Sequence, residues 1–172
     1  MSDEEVTNEE VVEDIPVLDS IPDLEIPDID LEDFDIPEEE ETAVEDESGG
    51  SQVFAWIGSG QGGGRIAKAF YDRGYKKCIA VNTSHHDLDG LDIPVAQKLL
   101  LDVGEQGAGK DMEKGYEAAN KYKQNIFDLM RKIYGNNVDH LNVCVGAGGG
   151  SGSGSSLVLI DIAKKYMKYI GH

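Results

Sequence analysis

Apolar residues are distributed very unevenly along this chain. From Val53 onward they gather in short runs parted by segments with helical spacing. Val53 to Ile57 is a continuous apolar run ending in a glycine cluster, which predicts a buried strand. A helix is expected over Arg65 to Arg73, with Ile66, Ala69 and Phe70 on one side and Gly74 as its stop. Lys77 to Val81 predicts a second buried strand and Asn82 to Asp92 a polar loop. Leu99, Leu100 and Leu101 mark a third strand within Gln97 to Asp102. Asp111 to Tyr134 reads as one long helix, with Tyr116, Ala119, Ile126, Phe127, Met130 and Ile133 near one face. His140 to Val145 predicts a fourth strand, Gly146 to Gly154 a loop, and Ser155 to Tyr169 a last helix.

Before Val53 the pattern is different. Ile-Pro recurs at Ile15-Pro16, Ile21-Pro22, Ile26-Pro27 and Ile36-Pro37, and single apolar residues (Leu18, Leu24, Ile29, Leu31, Phe34) alternate with carboxylates. Proline removes a backbone donor and pushes its predecessor toward extended backbone. Lone apolar residues among like charges do not offset chain entropy. Residues 1–50 are therefore expected to be an acidic disordered tail, acting as a solubilising leader or laying its Ile/Leu residues into a basic, grooved protein partner. Ser48 to Ser51 is the expected hinge, and residues 51–172 are the folded domain.

Charge supports this division. The 172 residues carry 15 Lys and Arg against 34 Asp and Glu, a net charge of -19. Residues 1–47 hold 22 of the acids and no Lys or Arg, leaving 12 acids against 15 bases in the remaining 125 residues. The domain itself is thus nearly neutral, and no basic stripe interleaved with aromatics points to nucleic acid. No apolar run reaches the ~20 residues of a membrane span, and the acidic N-terminus is unlike a secretory signal. Two cysteines are too few for a disulfide scaffold or a structural zinc site. A cytoplasmic, reducing location is expected, with Cys78 and Cys144 as buried apolar residues. Adjacent His85 and His86 point apart and have no third ligand at suitable spacing, so no metal site is expected.

Strands that are continuous apolar runs, separated by helices, predict an α/β fold: a Rossmann-like, three-layer parallel sheet with helices on both faces. Right-handed crossovers then place every strand-to-helix loop at one sheet edge. The glycine clusters at 58–64, 104–109 and 146–154 all follow strands, so they should converge on one crevice. Glycine loops leading into helix N-termini present amide N–H groups and the positive dipole end, which suits phosphate.

Three known templates bear on these loops. Gly58 to Gly63 is a literal G-x-G-x-x-G, but a dinucleotide site wants an acid at the end of the next strand, where Asn82 and Thr83 stand. Gly104 to Lys110 spells G-x-x-x-x-G-K, but Asp111 follows where a hydroxyl should meet magnesium. The third template fits. Gly148-Gly149-Gly150-Ser151-Gly152-Ser153-Gly154 resembles the GGGTGTG signature of the tubulin/FtsZ family, with Ser at both Thr positions. Gly60 to Arg65 resembles that family's first phosphate loop, Ala80-Val81-Asn82-Thr83 its AVNT, and Gly107-Ala108-Gly109 its third loop. The order and spacing agree over about residues 52–172. Arg65 and Tyr116 depart from the family pattern.

The resemblance implies GTP or GDP as ligand, in a filament-forming cytoskeletal system. Gln61, Gly62, Gly63, Gly64 and Arg65 would lie near the α/β-phosphates, with Asn82 and Thr83 beside the phosphate pocket. Gly107, Ala108 and Gly109 would sense the γ-phosphate. Gly148, Gly149, Gly150, Ser151, Gly152 and Ser153 would wrap the phosphates, and Glu113 is the candidate ribose-side contact. Mg²⁺ would be held mainly by phosphate and water. Family hydrolysis uses an acidic loop from the next subunit, in a half of the protein that the sequence lacks. Binding without turnover, self-assembly, or pairing with a complementary C-terminal chain are the expectations that follow. The competing expectation is a non-catalytic interaction protein that keeps the fold and acts through its acidic tail.

Overall fold

A computed structural model describes residues 29–37, 43–45, 49–104 and 107–171. Four strands form one parallel sheet in the order β3-β2-β1-β4. They are β1 (Phe54–Ser59), β2 (Cys78–Asn82), β3 (Lys98–Leu100) and β4 (His140–Val145). Five helices connect and flank them: α1 (Gly60–Tyr71), α2 (His85–Asp89), α3 (Met112–Lys121), α4 (Lys123–Tyr134) and α5 (Gly150–Tyr169).

Each face of the sheet has its own core. Ala55, Ile57, Ile79, Val81 and Leu101 pack with Ala118, Ala119, Ile126, Phe127, Met130, Leu159 and Ile162 beneath α3, α4 and α5. Ala80 packs with Leu88, Leu91 and Ile93 on the opposite face. Because both faces are covered, the strands show no alternation of apolar and polar residues, as a parallel sheet requires. On the α1 side, Trp56 stacks on Phe70 with ring centroids 3.5 Å apart.

Three element boundaries differ from the sequence reading. The helix expected over 111–134 is two helices, broken at Tyr122, whose ψ of 14° leaves the helical range. The break lets α3 cross α5 while α4 turns to bury its own Phe127 and Met130 in the main core. Helix α1 begins at Gly60 rather than Arg65, and α5 begins at Gly150 rather than Ser155. Glycine is a poor helix former in isolation. Here, packing of the first turns against the sheet and α3 supplies the stability that propensity lacks.

Lys77 is buried, and its ammonium donates to the carbonyls of Tyr134 and Asn137 at the end of α4. A cation there satisfies the terminal carbonyls and complements the helix dipole. Two tyrosines close the same region. The Tyr134 hydroxyl donates to the Trp56 carbonyl at 2.8 Å, and that of Tyr166 to the Gly135 carbonyl. Burial pushes both phenols above their ordinary pKa. Their contribution to stability is complete below pH ~10, where an unfolded tyrosine begins to ionise, and is lost as pH rises further. The melting temperature should therefore fall once pH passes ~10, and Tyr166→Phe should make that fall shallower. A melting series across alkaline pH checks this.

Of the leader, residues 1–28, 38–42 and 46–48 lie outside the described residues. Ile29 to Pro37, however, is packed on the domain, with Ile29 and Phe34 buried in the main core. Val44 adds a backbone hydrogen bond to the Ile133 carbonyl at 3.2 Å. In this stretch the lone apolar residues find a face of the same chain to bury against.

Candidate functional site

The ends of β1 and β4 turn directly into helices, so α1 and α5 both start at the same edge of the sheet. The turn into α1 is made at Gly60, whose φ of +69° suits glycine. A Cβ there would also lie 3.0 Å from the Gly152 amide nitrogen. Neither helix start is capped by its N-cap side chain, and neither first turn carries an acid. Two positive helix ends thus face one cleft of about 380 Å³. Its lining is drawn from Gly60, Gln61 and Gly62, from Asp87, from Gly109, and from Gly146, Gly148, Gly149, Ser151 and Gly152.

Thr83 joins the loops around this cleft. Its hydroxyl accepts from the Ala108 amide at 2.8 Å and is hydrogen-bonded to the Ser151 hydroxyl. A single buried oxygen therefore ties the end of β2, the loop before α3 and the first turn of α5. The Ser59 hydroxyl, 2.6 Å from that of Ser155, makes a similar tie between the end of β1 and α5. Gly150 donates to the Gly109 carbonyl at 2.8 Å, bringing the third loop against the fourth.

The expected site residues fall into three groups. Gln61, Gly62, Gly109, Gly148, Gly149, Ser151 and Gly152 line the cleft. Asn82, Thr83, Gly107, Ala108, Gly150 and Ser153 lie in or behind its wall. Asn82 is held by Asp87, at 3.3 Å from its amide nitrogen, while its oxygen accepts from the Ser84 amide at 3.0 Å. The Ser153 hydroxyl donates to the Ala147 carbonyl at 2.8 Å. Gly63 and Gly64 face the sheet and Leu91: a Cβ on Gly63 would sit 2.2 Å from the Cys144 carbonyl oxygen, and one on Gly64 would sit 2.9 Å from a Leu91 methyl. Arg65 lines an adjoining cleft with Lys68 and His86. Glu113 is exposed in the first turn of α3 and does not border the cleft.

Asp87 is a lining residue that the sequence reading missed. It accepts from Asn82 and, at 3.5 Å, from the Gln61 amide. A signal was present: Ser84-x-x-Asp87 is a helix-start pattern, and Ser84 does accept from the Asp87 amide. The G-x-x-x-x-G-K reading is answered by Asp111, whose carboxylate caps α3 by accepting from the Lys114 amide at 3.1 Å. His85 pairs with Asp89 at 2.8 Å on the surface. Among the described residues no cluster of three or more metal-ligating side chains occurs, and no helix is long and apolar enough to cross a membrane.

A parallel sheet with glycine loops and two helix starts converging on one cleft defines the nucleotide-binding class of α/β domains. The description "Tubulin/FtsZ family, GTPase domain" matches residues 53–170, and the chain belongs to that family. CetZ1 from Haloferax volcanii, solved as a GDP-bound monomer, is 35% identical, with a TM-score of 0.60 over 65% of this chain and 37% of CetZ1. TubZ from Bacillus thuringiensis serovar israelensis, solved as a GTPγS-form protofilament, is 26% identical, with a TM-score of 0.57 over 70% of this chain and 36% of that one. FtsZ of M. jannaschii, solved as an empty dimer, shares the fold at 24% identity and a TM-score of 0.56. The chain spans little more than a third of the length of the CetZ1 and TubZ chains. A comparison with curated protein sequences finds no match.

Proposed function

We propose that the cleft binds GTP or GDP by its phosphates. The observation that carries this reading is the joining of three loops by the Thr83 hydroxyl around a cleft where two uncapped helices begin. Backbone N–H groups and helix ends stabilise a phosphate chain without a cationic side chain at its centre. Gln61, Gly62, Gly148, Gly149, Ser151 and Gly152 make the direct contacts. Gly109 borders the terminal phosphate. Asn82 and Thr83 act from behind by fixing the loops, and Gly63 and Gly64 act by letting α1 approach the sheet.

The donor set suits magnesium held chiefly by the ligand. Among the described residues Asp87 is the one carboxylate in the cleft lining, and it is engaged with Asn82 and Gln61. Hard-oxygen coordination would therefore come from phosphate oxygens and water, with Asp87 and Ser151 at the margin. In-line hydrolysis needs a positioned water. Among the described residues the lining supplies binding groups but no uncommitted base, so turnover waits for an acidic group brought by another segment or a different chain. The protofilament in which TubZ was solved, and a family match that spans residues 53–170, support a filament-forming role. Neither Cys78 nor Cys144 is in a disulfide, in keeping with a cytoplasmic setting.

Calorimetric titration of the full chain with GTP, ATP and NAD in the presence of magnesium tests the reading. Micromolar binding with preference for GTP is expected. Binding of none of the three removes the nucleotide assignment, and preference for NAD replaces it with a dinucleotide site. Phosphate release should stay near background for the chain alone. Pelleting with GTP on centrifugation is the expected sign of self-assembly.

A further inference from the structure

Ile29 to Pro37 lies on the domain as a recognised peptide does, with a single 3-10 turn at Leu31–Asp33 and no pairing to the sheet. The side-chain amide of Gln124 both accepts from the Asp35 N–H and donates to the Asp35 carbonyl, each at 3.0 Å. Arg131 donates to the Pro37 carbonyl at 3.2 Å, and Asp161 accepts from the Ile29 amide at 3.3 Å. Groups on α4 and α5 thus read the main chain along the segment's length. Side chains are read separately. Phe34 stacks on Phe127 with centroids 4.2 Å apart. Asp33 pairs with Lys123 at 3.5 Å and Asp30 with Lys165 at 3.4 Å. Main-chain bonds for affinity and pockets for alternate side chains are how peptide grooves work.

We propose that the α4–α5 face is a docking groove for short acidic segments of the pattern Ile-x-Leu-x-x-Phe-x-Ile-Pro, and that Ile29 to Pro37 is its built-in, releasable occupant. The partner chemistry follows from charge. The leader carries most of the chain's acids, whereas the rest of the chain is slightly basic. Release must expose Ile29 and Phe34, and that apolar burial is what an equivalent segment from another molecule would replace; the ion pairs are partly exposed and individually weak, and no backbone ladder or disulfide fixes the segment. Tethering gives the leader a high effective concentration, so it keeps the groove closed to the same pattern offered by another molecule. This inference is independent of the nucleotide reading.

Two measurements on the full chain test it. The first is cleavage by a glutamate-specific protease at the Glu32–Asp33 bond, compared with a synthetic peptide of the same sequence. Docking should slow cleavage in the chain by about tenfold or more, and added salt should narrow the gap. Equal rates in chain and peptide overturn the proposal. The second uses a fluorescent peptide with the sequence from Ile29 to Pro37, titrated into the wild type and into a Leu31→Asp, Phe34→Asp double variant. The variant should bind it about tenfold more tightly than the wild type, and adding Gln124→Ala should weaken that binding severalfold. Equal binding to both chains, or none to a variant with native circular dichroism, overturns the idea. Should the double variant not fold, the cleavage comparison on the wild type decides.

Discussion

Gly154→Ala will lower the melting temperature by roughly 10 °C or more, or prevent folding altogether. Gly148→Ala, only six residues away, will change it little. The contrast comes from what a methyl group would meet. At Gly154 a Cβ would lie 2.1 Å from the Met112 carbonyl oxygen and 2.7 Å from the Tyr116 amide nitrogen, whereas at Gly148 nothing lies within 4 Å. The atoms in the way are backbone, so no rotamer change relieves them. Helices α3 and α5 cross here through Gly115, Gly150 and Gly154, and a Cβ on Gly115 would be 2.1 Å from the Gly150 carbonyl oxygen. Separating the helices would open the core around Ala118, Ala119 and Leu159. Overpacking of this kind costs about 1–3 kcal/mol even where side chains can adjust, and more where main chain must move. Paired thermal melts of the two variants make the check, and equal melting temperatures would show that the crossing is looser than described.

Thr83→Val will damage the site more than the fold. Valine nearly matches threonine in shape, so packing is retained, but the oxygen that accepts from Ala108 and meets Ser151 is gone. An unpartnered buried amide costs about 1–3 kcal/mol. Much of that cost should appear as loosening of the loop before α3 relative to α5. Affinity for GTP should therefore drop by about tenfold or more, since 1.4 kcal/mol is tenfold in binding. Thr83→Ser keeps the oxygen and should bind nearly as the wild type does. Titrations of the three chains, with circular dichroism to confirm folding, separate the outcomes. A valine variant that binds like the wild type would mean that Thr83 does not organise the cleft.

The order of strands and helices, and the convergence of the glycine loops, could be read from the chain because both follow from local rules. Continuous apolar runs mark strands buried on two faces, and handedness puts their following loops on one edge. The signature around Gly148 to Gly154 was legible as a motif. Its division of labour was not, because glycine spacing alone does not tell a residue that faces a ligand from one that faces a neighbouring helix. Gly149, Ser151 and Gly152 border the cleft, while Gly150 and Gly154 press on α3. Similarly, nothing in the sequence tells that Glu113, the candidate ribose-side contact, is exposed in the first turn of α3 and apart from the cleft lining.

Periodicity and punctuation by themselves determined the parallel α/β layout, the acidic character of the leader, and the edge of the sheet where chemistry belongs. Tertiary structure alone decided that helices begin inside the glycine loops, that Tyr122 divides α3 from α4, that Thr83 and Asp87 organise the cleft wall, and that Ile29 to Pro37 finds a seat on α4 and α5. The physical reason is the same in each case. Local sequence sets what a segment can form when its own residues are counted, whereas these features depend on contacts with residues tens of positions away. Their free energy comes from backbone-to-backbone approach, buried hydroxyls and a borrowed apolar face, none of which is written in the residues that adopt them.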